Sequence, residues 1–335
     1  MNKEIQRYIN ETYRRIKKVN SGKVADYIPE LAKADPNLFG IAFVSCDGDM
    51  YEIGDSKKTV SIQSISKVFT LAKAVEEHGI NEINMKIGNE GSSLPFNSVV
   101  AAELSRTHTI NPFVNQGAIA TTSLLYDKNT LAFKNKILNN LDDFAGKHLK
   151  IDTNVYRSEM NTNHKNMALS YLLKSYNRFY GDVDETVDVY TQQCSKLVSA
   201  RNLATMACVF AKGGIHPNNN KRIIKETTAN YVYRSLRGEG LYEYSGKWNT
   251  DVGSISAKSG VGGGVFIILK GVGGIGITSP PLDRTGNSVK GIKAGTILSN
   301  KIYDLHLSRA KFCGKNKNTK RKTKTKRRKT TRKNK

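Results

Sequence analysis

The stretch VSIQSISKVFTLAKAVEEHG, residues 60–79, opens like a strand or loop and closes like a helix. The spacing of Ile65, Val68, Phe69, Leu71 and Val75 predicts a buried helix over 64–78, and Gly79 stands where a helix C-cap favours glycine. Ser64 and Lys67 lie one helical turn apart in it, so both side chains face the same way. Two readings compete. In one, Ser64 caps the helix and Lys67 snorkels to solvent. In the other, Ser64 is a nucleophile at the positive end of the helix dipole, and a buried Lys67 of lowered pKa takes its proton. The pair alone does not decide, because S-x-x-K is a common spacing.

Working outward, LFGIAFVSCDGDMYEIGD (38–55) reads as two strands joined by an Asp-Gly turn. Before it, residues 1–20 read as a helix with Ile5, Tyr8, Ile9, Tyr13 and Ile16 on one side. VADYIPELAKADP then reads as a short helix closed by Pro36. Downstream the pattern is mostly helical to about residue 250, including 196–212, which ends at Gly213-Gly214. Residues 253–279 turn β-rich and glycine-punctuated, and a final helix is expected over about 289–309. Strands thus flank a long helical insert. The expected fold class is α+β: a mixed or antiparallel sheet flanked by helices, built from about 22–60 and 250–310, plus a helical subdomain from about 64–250. One domain over 1–314 accommodates all of this.

Hydrophobic residues make up 38% of the 335-residue chain and charged ones 24%, which suits a globular protein with a real core. No apolar run is long enough to span a membrane, so no membrane association is expected. The N-terminus MNKEIQRYINETYRRIKK lacks the apolar segment of a secretory signal. Cys46, Cys194, Cys208 and Cys313 form no C-x-x-C pair, so a cytoplasmic or other reducing intracellular compartment is expected. The net charge of +24 is uneven. Residues 315–335 hold 13 of the 53 Lys and Arg with no acid, leaving 40 basic against 29 acidic residues elsewhere. That run has no apolar residue to bury and is expected to be a disordered basic tail. It suits a nucleic acid or another polyanion, or it is only a solubilising segment.

Two features invite misreading. Gly271-Val272-Gly273-Gly274-Ile275-Gly276 matches G-x-G-x-x-G, but two prolines and no helical pattern follow it, so a dinucleotide site is not expected. The six histidines form no H-x-x-x-H pair, which leaves no candidate metal ligands and no obvious histidine for a Ser-His-Asp triad.

Context decides the Ser64–Lys67 question. Class A β-lactamases and penicillin-binding proteins pair S-x-x-K with K-T-G on a late strand, and this chain has Lys258-Ser259-Gly260 in its second β-rich segment. Asn115 of INPFVNQGA offers a polar wall from the helical insert. The resemblance narrows further. VADYIPELAKADPNLFGIAFV, SIQSISKVFTLA, PFNSVV, NPFVNQGAI, SEMNTNHKNMALSYLLKSY, VYTQQCS, GLYEYSGKW, AKSGVGGGV and GNSVKG occur in order over roughly residues 22–295. Together they resemble the serine-dependent glutaminases, of serine β-lactamase-like fold. The chain departs from that pattern at Glu90-Gly91-Ser92-Ser93, where the family reads E-P-S-G, and by one extra residue between Tyr242 and Val261.

The resemblance implies hydrolysis of L-glutamine to L-glutamate and ammonia through a γ-glutamyl-serine intermediate, with no cofactor. Ser64 would be the nucleophile and Lys67 its base, with Tyr27 and Tyr242 as active-site tyrosines and Tyr242 the expected proton shuttle. Asn115, Glu159, Asn166 and Tyr190 match positions that hold the substrate's amide, α-amino and α-carboxylate groups. Val261 matches the residue whose backbone N–H completes the oxyanion hole with that of Ser64. The family also implies a homo-oligomer, dimer or tetramer. Two alternatives stand beside this reading: β-lactam or peptide hydrolysis on the same fold, and an inactive scaffold whose basic tail binds nucleic acid.

Overall fold

The computed structural model describes residues 2–92 and 94–308; Ser93, Cys313 and the basic tail 315–335 lie outside the described residues. Among the described residues there are seven strands: β1 (Gly40–Ser45), β2 (Met50–Gly54), β3 (Thr59–Ser61), β4 (Leu197–Ser199), β5 (Ser256–Gly260), β6 (Gly264–Leu269) and β7 (Gly273–Thr278). Five make an antiparallel sheet in the order β2-β1-β7-β6-β5, so the two β-rich ends of the chain meet where β1 pairs with β7, Ile41 opposite Ile277. The Asp47-Gly48 turn joins β1 to β2, as the sequence predicts, with Gly48 at φ +94°.

Alternation along these strands decides what covers each face. Ile41, Phe43, Val265, Ile267, Ile275 and Ile277 point to one side, onto Ile5, Ile9 and Ile16 of the helix Asn2–Lys17 and onto Leu298 and Ile302 of a helix running over 289–308. Each such fully buried side chain contributes roughly 1.5–3 kcal/mol. The other side carries Ala42 and Val44 against Ala200, Ala204 and Cys208 of the helix Ala200–Ala211. Here the glycine-rich stretch finds its role. A Cβ at Gly274 would lie 2.2 Å from the Ala204 carbonyl oxygen, and one at Gly276 2.1 Å from that of Ala200. The glycines let a helix backbone lie directly on the sheet, and β7 is followed by no dinucleotide-type helix.

The rest of the core is helical. Phe69 packs edge-on to Phe144 and Phe266 at 4.9 and 5.7 Å between ring centres, joining the helix Ser66–His78 to the insert and the sheet.

Three expectations need correction. VADYIPELAKADP is not a helix beyond the 3-10 turn Leu31–Lys33, because Pro29 lacks an N–H to donate and the segment instead tucks Ala25, Ile28 and Leu31 against Val155 and Val261. The predicted helix 196–212 begins as β4, which pairs with β3 in a small separate sheet, so the helix starts only at Ala200. The helix predicted over 64–78 starts at Ser66, with Ser64 in a preceding 3-10 turn, Gln63–Ile65.

Candidate active site

That turn is set by its surroundings. The Ile62 N–H donates to the Lys196 carbonyl at 2.7 Å, anchoring the end of β3. Gly260 at the end of β5 packs so closely that a Cβ there would meet the Ile62 carbonyl oxygen at 2.6 Å. Lys258-Ser259-Gly260 therefore lies directly against the Ser64 turn. Gln63, immediately before Ser64, has φ +48°, a left-handed conformation that surrounding contacts must hold. Ser66 is occupied elsewhere: its hydroxyl donates to the Gln63 carbonyl at 2.7 Å and lies 3.6 Å from the Cys194 sulfur.

Lys67 does not snorkel. It is 1% exposed, and its Nζ donates to the Phe113 carbonyl at 3.1 Å and to Asn115 Oδ1 at 2.7 Å. Burial pulls its ammonium down to about 8, against the opposing pull of Cys194 and Glu159 nearby. Asn115 in turn donates through Nδ2 to Asn166 Oδ1 at 3.0 Å, which links Lys67 to Asn166 in one chain of hydrogen bonds.

Glu159, on the helix Thr153–Asn161, is buried and accepts from Gln63 Nε2 at 3.4 Å. Burial pushes its carboxyl up to about 7, offset in part by that hydrogen bond and by Lys67. Tyr190 is buried nearby, its phenol driven well above the usual range by burial and then by Cys194 and Glu159. Tyr242 meets the Ser64 hydroxyl, and its own hydroxyl donates to the Ser259 carbonyl at 3.4 Å. Burial pushes it up to about 12. Its φ is +56°, a second left-handed residue beside Ser64. Tyr27 is 55% exposed as a whole, and its phenol is raised by burial and by Tyr242 and Glu159. Val261 is buried, and a Cβ on Gly286 would touch both its side chain (3.6 Å) and the Tyr242 ring (3.8 Å).

Sequence reasoning did not single out several neighbours. Gln63 and Cys194 lie in quoted motifs without assigned roles. The Phe96 ring packs tilted against Tyr242, 5.0 Å between ring centres, and lies 5.9 Å from Lys67 Nζ, while the Phe96 carbonyl accepts from the Asn115 N–H at 2.7 Å. Lys258, which the sequence did point to through Lys258-Ser259-Gly260, is fully buried, 4.3 Å from the Tyr242 ring centre, and held far below the usual lysine range by burial and by Lys67. A cavity of about 990 Å³ opens beside the cluster. Of the expected site residues only Tyr27 and Val261 line it; Ser64 and Lys67 are buried away from it.

The antiparallel sheet, the helical insert and a Ser-x-x-Lys turn against a Lys-Ser-Gly strand define the β-lactamase-like class. The sequence profile described as Glutaminase matches residues 22–307. A glutaminase of Colwellia psychrerythraea (strain 34H / ATCC BAA-681) is 45% identical over 299 residues, 89% of this chain and 96% of that protein. A solved structure of a probable glutaminase superposes with a TM-score of 0.87 at 41% identity, covering 89% of this chain and 96% of the other. A Bacillus subtilis glutaminase, captured as a covalent complex with 5-oxo-L-norleucine after reaction with 6-diazo-5-oxo-L-norleucine, gives a TM-score of 0.76 at 29% identity, over 89% and 95% of the two chains. The chain belongs to the glutaminase family.

Proposed function

We propose that Ser64 is the nucleophile and Lys67 the base of this enzyme, a glutaminase that hydrolyses L-glutamine to L-glutamate and ammonia. The observation that carries the reading is the setting of Lys67. A neutral amine has two N–H groups and one lone pair; the Phe113 carbonyl and Asn115 Oδ1 take both N–H groups, which leaves the lone pair for the Ser64 proton. A value near 8 keeps a useful fraction neutral at physiological pH, and a general base so placed contributes ~10²–10⁴-fold in rate.

Ser64 Oγ attacks the side-chain amide carbon of glutamine as its proton passes to Lys67. The backbone N–H groups of Ser64 and Val261 hold the oxyanion, each donor worth ~10²–10³-fold. The proton then reaches the leaving nitrogen through Tyr242, whose hydroxyl adjoins that of Ser64, and ammonia departs. Water, deprotonated by the same base, attacks the γ-glutamyl ester, and glutamate leaves with Ser64 restored. The Glu159 carboxylate holds the substrate ammonium, while Asn115, Asn166 and Tyr190 orient its amide and α-carboxylate, with Tyr27 closing the outer side. We read 1–314 as one catalytic domain and carry over a homo-oligomer from the family. The run 315–335 serves as a polyanion-binding address beside an active enzyme, a reading supported only by its composition. Family membership disfavours an inactive scaffold.

Intact-mass and peptide analysis after exposure to 6-diazo-5-oxo-L-norleucine tests the nucleophile. We expect one covalent adduct on the Ser64 peptide, absent from Ser64→Ala, which also releases no ammonia from glutamine. Glutaminase activity surviving in Ser64→Ala would refute the assignment.

A further inference from the structure

We infer that Asn287, on the loop between β7 and the 289–308 helix, is a positioning residue that holds Tyr242 against Ser64 through the Leu241 carbonyl and the Ser259 hydroxyl. The inference rests on the reading of Tyr242 as the proton shuttle. It starts from a conformational problem. Tyr242 has φ +56°, a region that side-chain-bearing residues rarely adopt and that persists only where the surroundings over-determine it. Tyrosine is not a residue type that favours it, so surrounding contacts must impose it.

The peptide groups around Tyr242 show what does. Ser245 Oγ accepts from the Leu241 N–H at 3.0 Å and donates to the Tyr242 carbonyl at 2.8 Å, pinning the dipeptide on one side. The Leu241 carbonyl, on the other side, accepts from Asn287 Nδ2 at 3.1 Å. A carbonyl can only accept, so the amide nitrogen of Asn287 must face it, and Oδ1 is left to take the Ser259 hydroxyl at 2.5 Å. The Ser259 carbonyl then accepts from the Tyr242 hydroxyl at 3.4 Å. The result is a closed circuit: Leu241 to Asn287, Asn287 to Ser259, Ser259 to Tyr242, and back along the chain to Leu241. It fixes both ends of the tyrosine, its backbone and its hydroxyl, relative to β5.

Asn287 is itself rigid. It is 0% exposed, its N–H donates to Asp283 Oδ1 at 3.1 Å, and Nδ2 also reaches Thr285 Oγ1 at 2.8 Å. The same Asp283 oxygen accepts from the Thr285 N–H and hydroxyl at 2.9 and 2.7 Å, so the loop is braced independently of Tyr242. Asn287 touches none of the groups assigned to hold substrate. A residue with full burial, all polar atoms paired, and bonds to both sides of the shuttle has the form of a brace.

The test is steady-state glutamine hydrolysis by Asn287→Ala and by Ser259→Ala, each alone and combined with Tyr242→Phe, with thermal melts confirming which variants are folded at the assay temperature. Ser259→Ala opens the same circuit and serves where Asn287→Ala does not fold. Displacing a reacting group by about 1 Å costs up to ~10²-fold, so kcat should fall by about 30-fold with KM within about threefold. Each double variant should be no slower than Tyr242→Phe alone, because the brace acts only through that hydroxyl. A general loss of stability would instead multiply with Tyr242→Phe. An unchanged kcat in a folded single variant, a rise in KM at constant kcat, or multiplicative losses in the double variants would each overturn the role given to Asn287. A fully active Tyr242→Phe would overturn the shuttle assignment itself, and this inference with it.

Discussion

Replacing Glu159 with glutamine should change both the strength of substrate binding and the pH at which the base works, in directions fixed by the structure. Glutamine is a zwitterion, and in the proposed mechanism its ammonium pairs with a charged Glu159, whose carboxyl burial has raised to about 7. The same mechanism requires a neutral Lys67, whose ammonium burial has lowered to about 8. Both requirements fail as pH falls, so kcat/KM of the wild type should rise about 50-fold between pH 6 and 7 and about tenfold between pH 7 and 8. Glu159→Gln removes one of the two ionisations, leaving at most a tenfold change per pH unit. The two groups also act on each other. The Glu159 charge favours the Lys67 ammonium, so its loss lowers the lysine further and moves the remaining limb to lower pH. Losing the charged partner of a buried ammonium costs about 3 kcal/mol, or roughly 150-fold in kcat/KM at pH 8, mostly through KM. The assay is ammonia release from glutamine well below KM over pH 5.5–9, on both proteins at constant ionic strength. A variant that keeps the two-proton slope below pH 7, or whose limb moves upward, would refute the pairing of these groups with substrate and base.

The other expectations concern the sheet and the tail. Gly276→Ala drives a methyl group to 2.1 Å from the Ala200 carbonyl and 2.5 Å from the Ala204 nitrogen. Overpacking against backbone should destabilise the fold by about 3 kcal/mol, read from the urea midpoint at unchanged m, and a midpoint within error of wild type would contradict the close helix–sheet contact. Truncation after residue 314 should leave glutaminase kcat unchanged and abolish salt-dependent retention on duplex DNA or a polyanionic resin. Equal retention by the two proteins would discard the tail as a polyanion address.

How far the site could be read from sequence follows from what local spacing encodes. Ser64 and Lys67 were legible because one helical turn separates them, and the distinction between a snorkelling and a buried lysine was not, because it depends on Phe113 and Asn115 some 46 and 48 residues away. The sheet was legible from the Asp47-Gly48 turn between two strand patterns and from the β-rich, glycine-punctuated stretch 253–279. The β3–β4 pair was not, since three-residue strands carry too little periodicity to register. Glu159, Asn166 and Tyr190 have no signature of their own and were found only through the ordered string of family motifs. Least visible of all was the strain. Gln63 and Tyr242 both sit at positive φ, and neither is a residue type that favours it. Gln63 bonds to Glu159 across 96 residues, and the carbonyl before Tyr242 bonds to Asn287 across 46. Local propensity at both positions is overruled by contacts that exist only after the insert and the two β-rich ends have assembled. The geometry around Ser64 is therefore a product of the whole domain rather than of the SIQSISK segment, and substitutions far from Ser64 in sequence should perturb catalysis before they perturb folding.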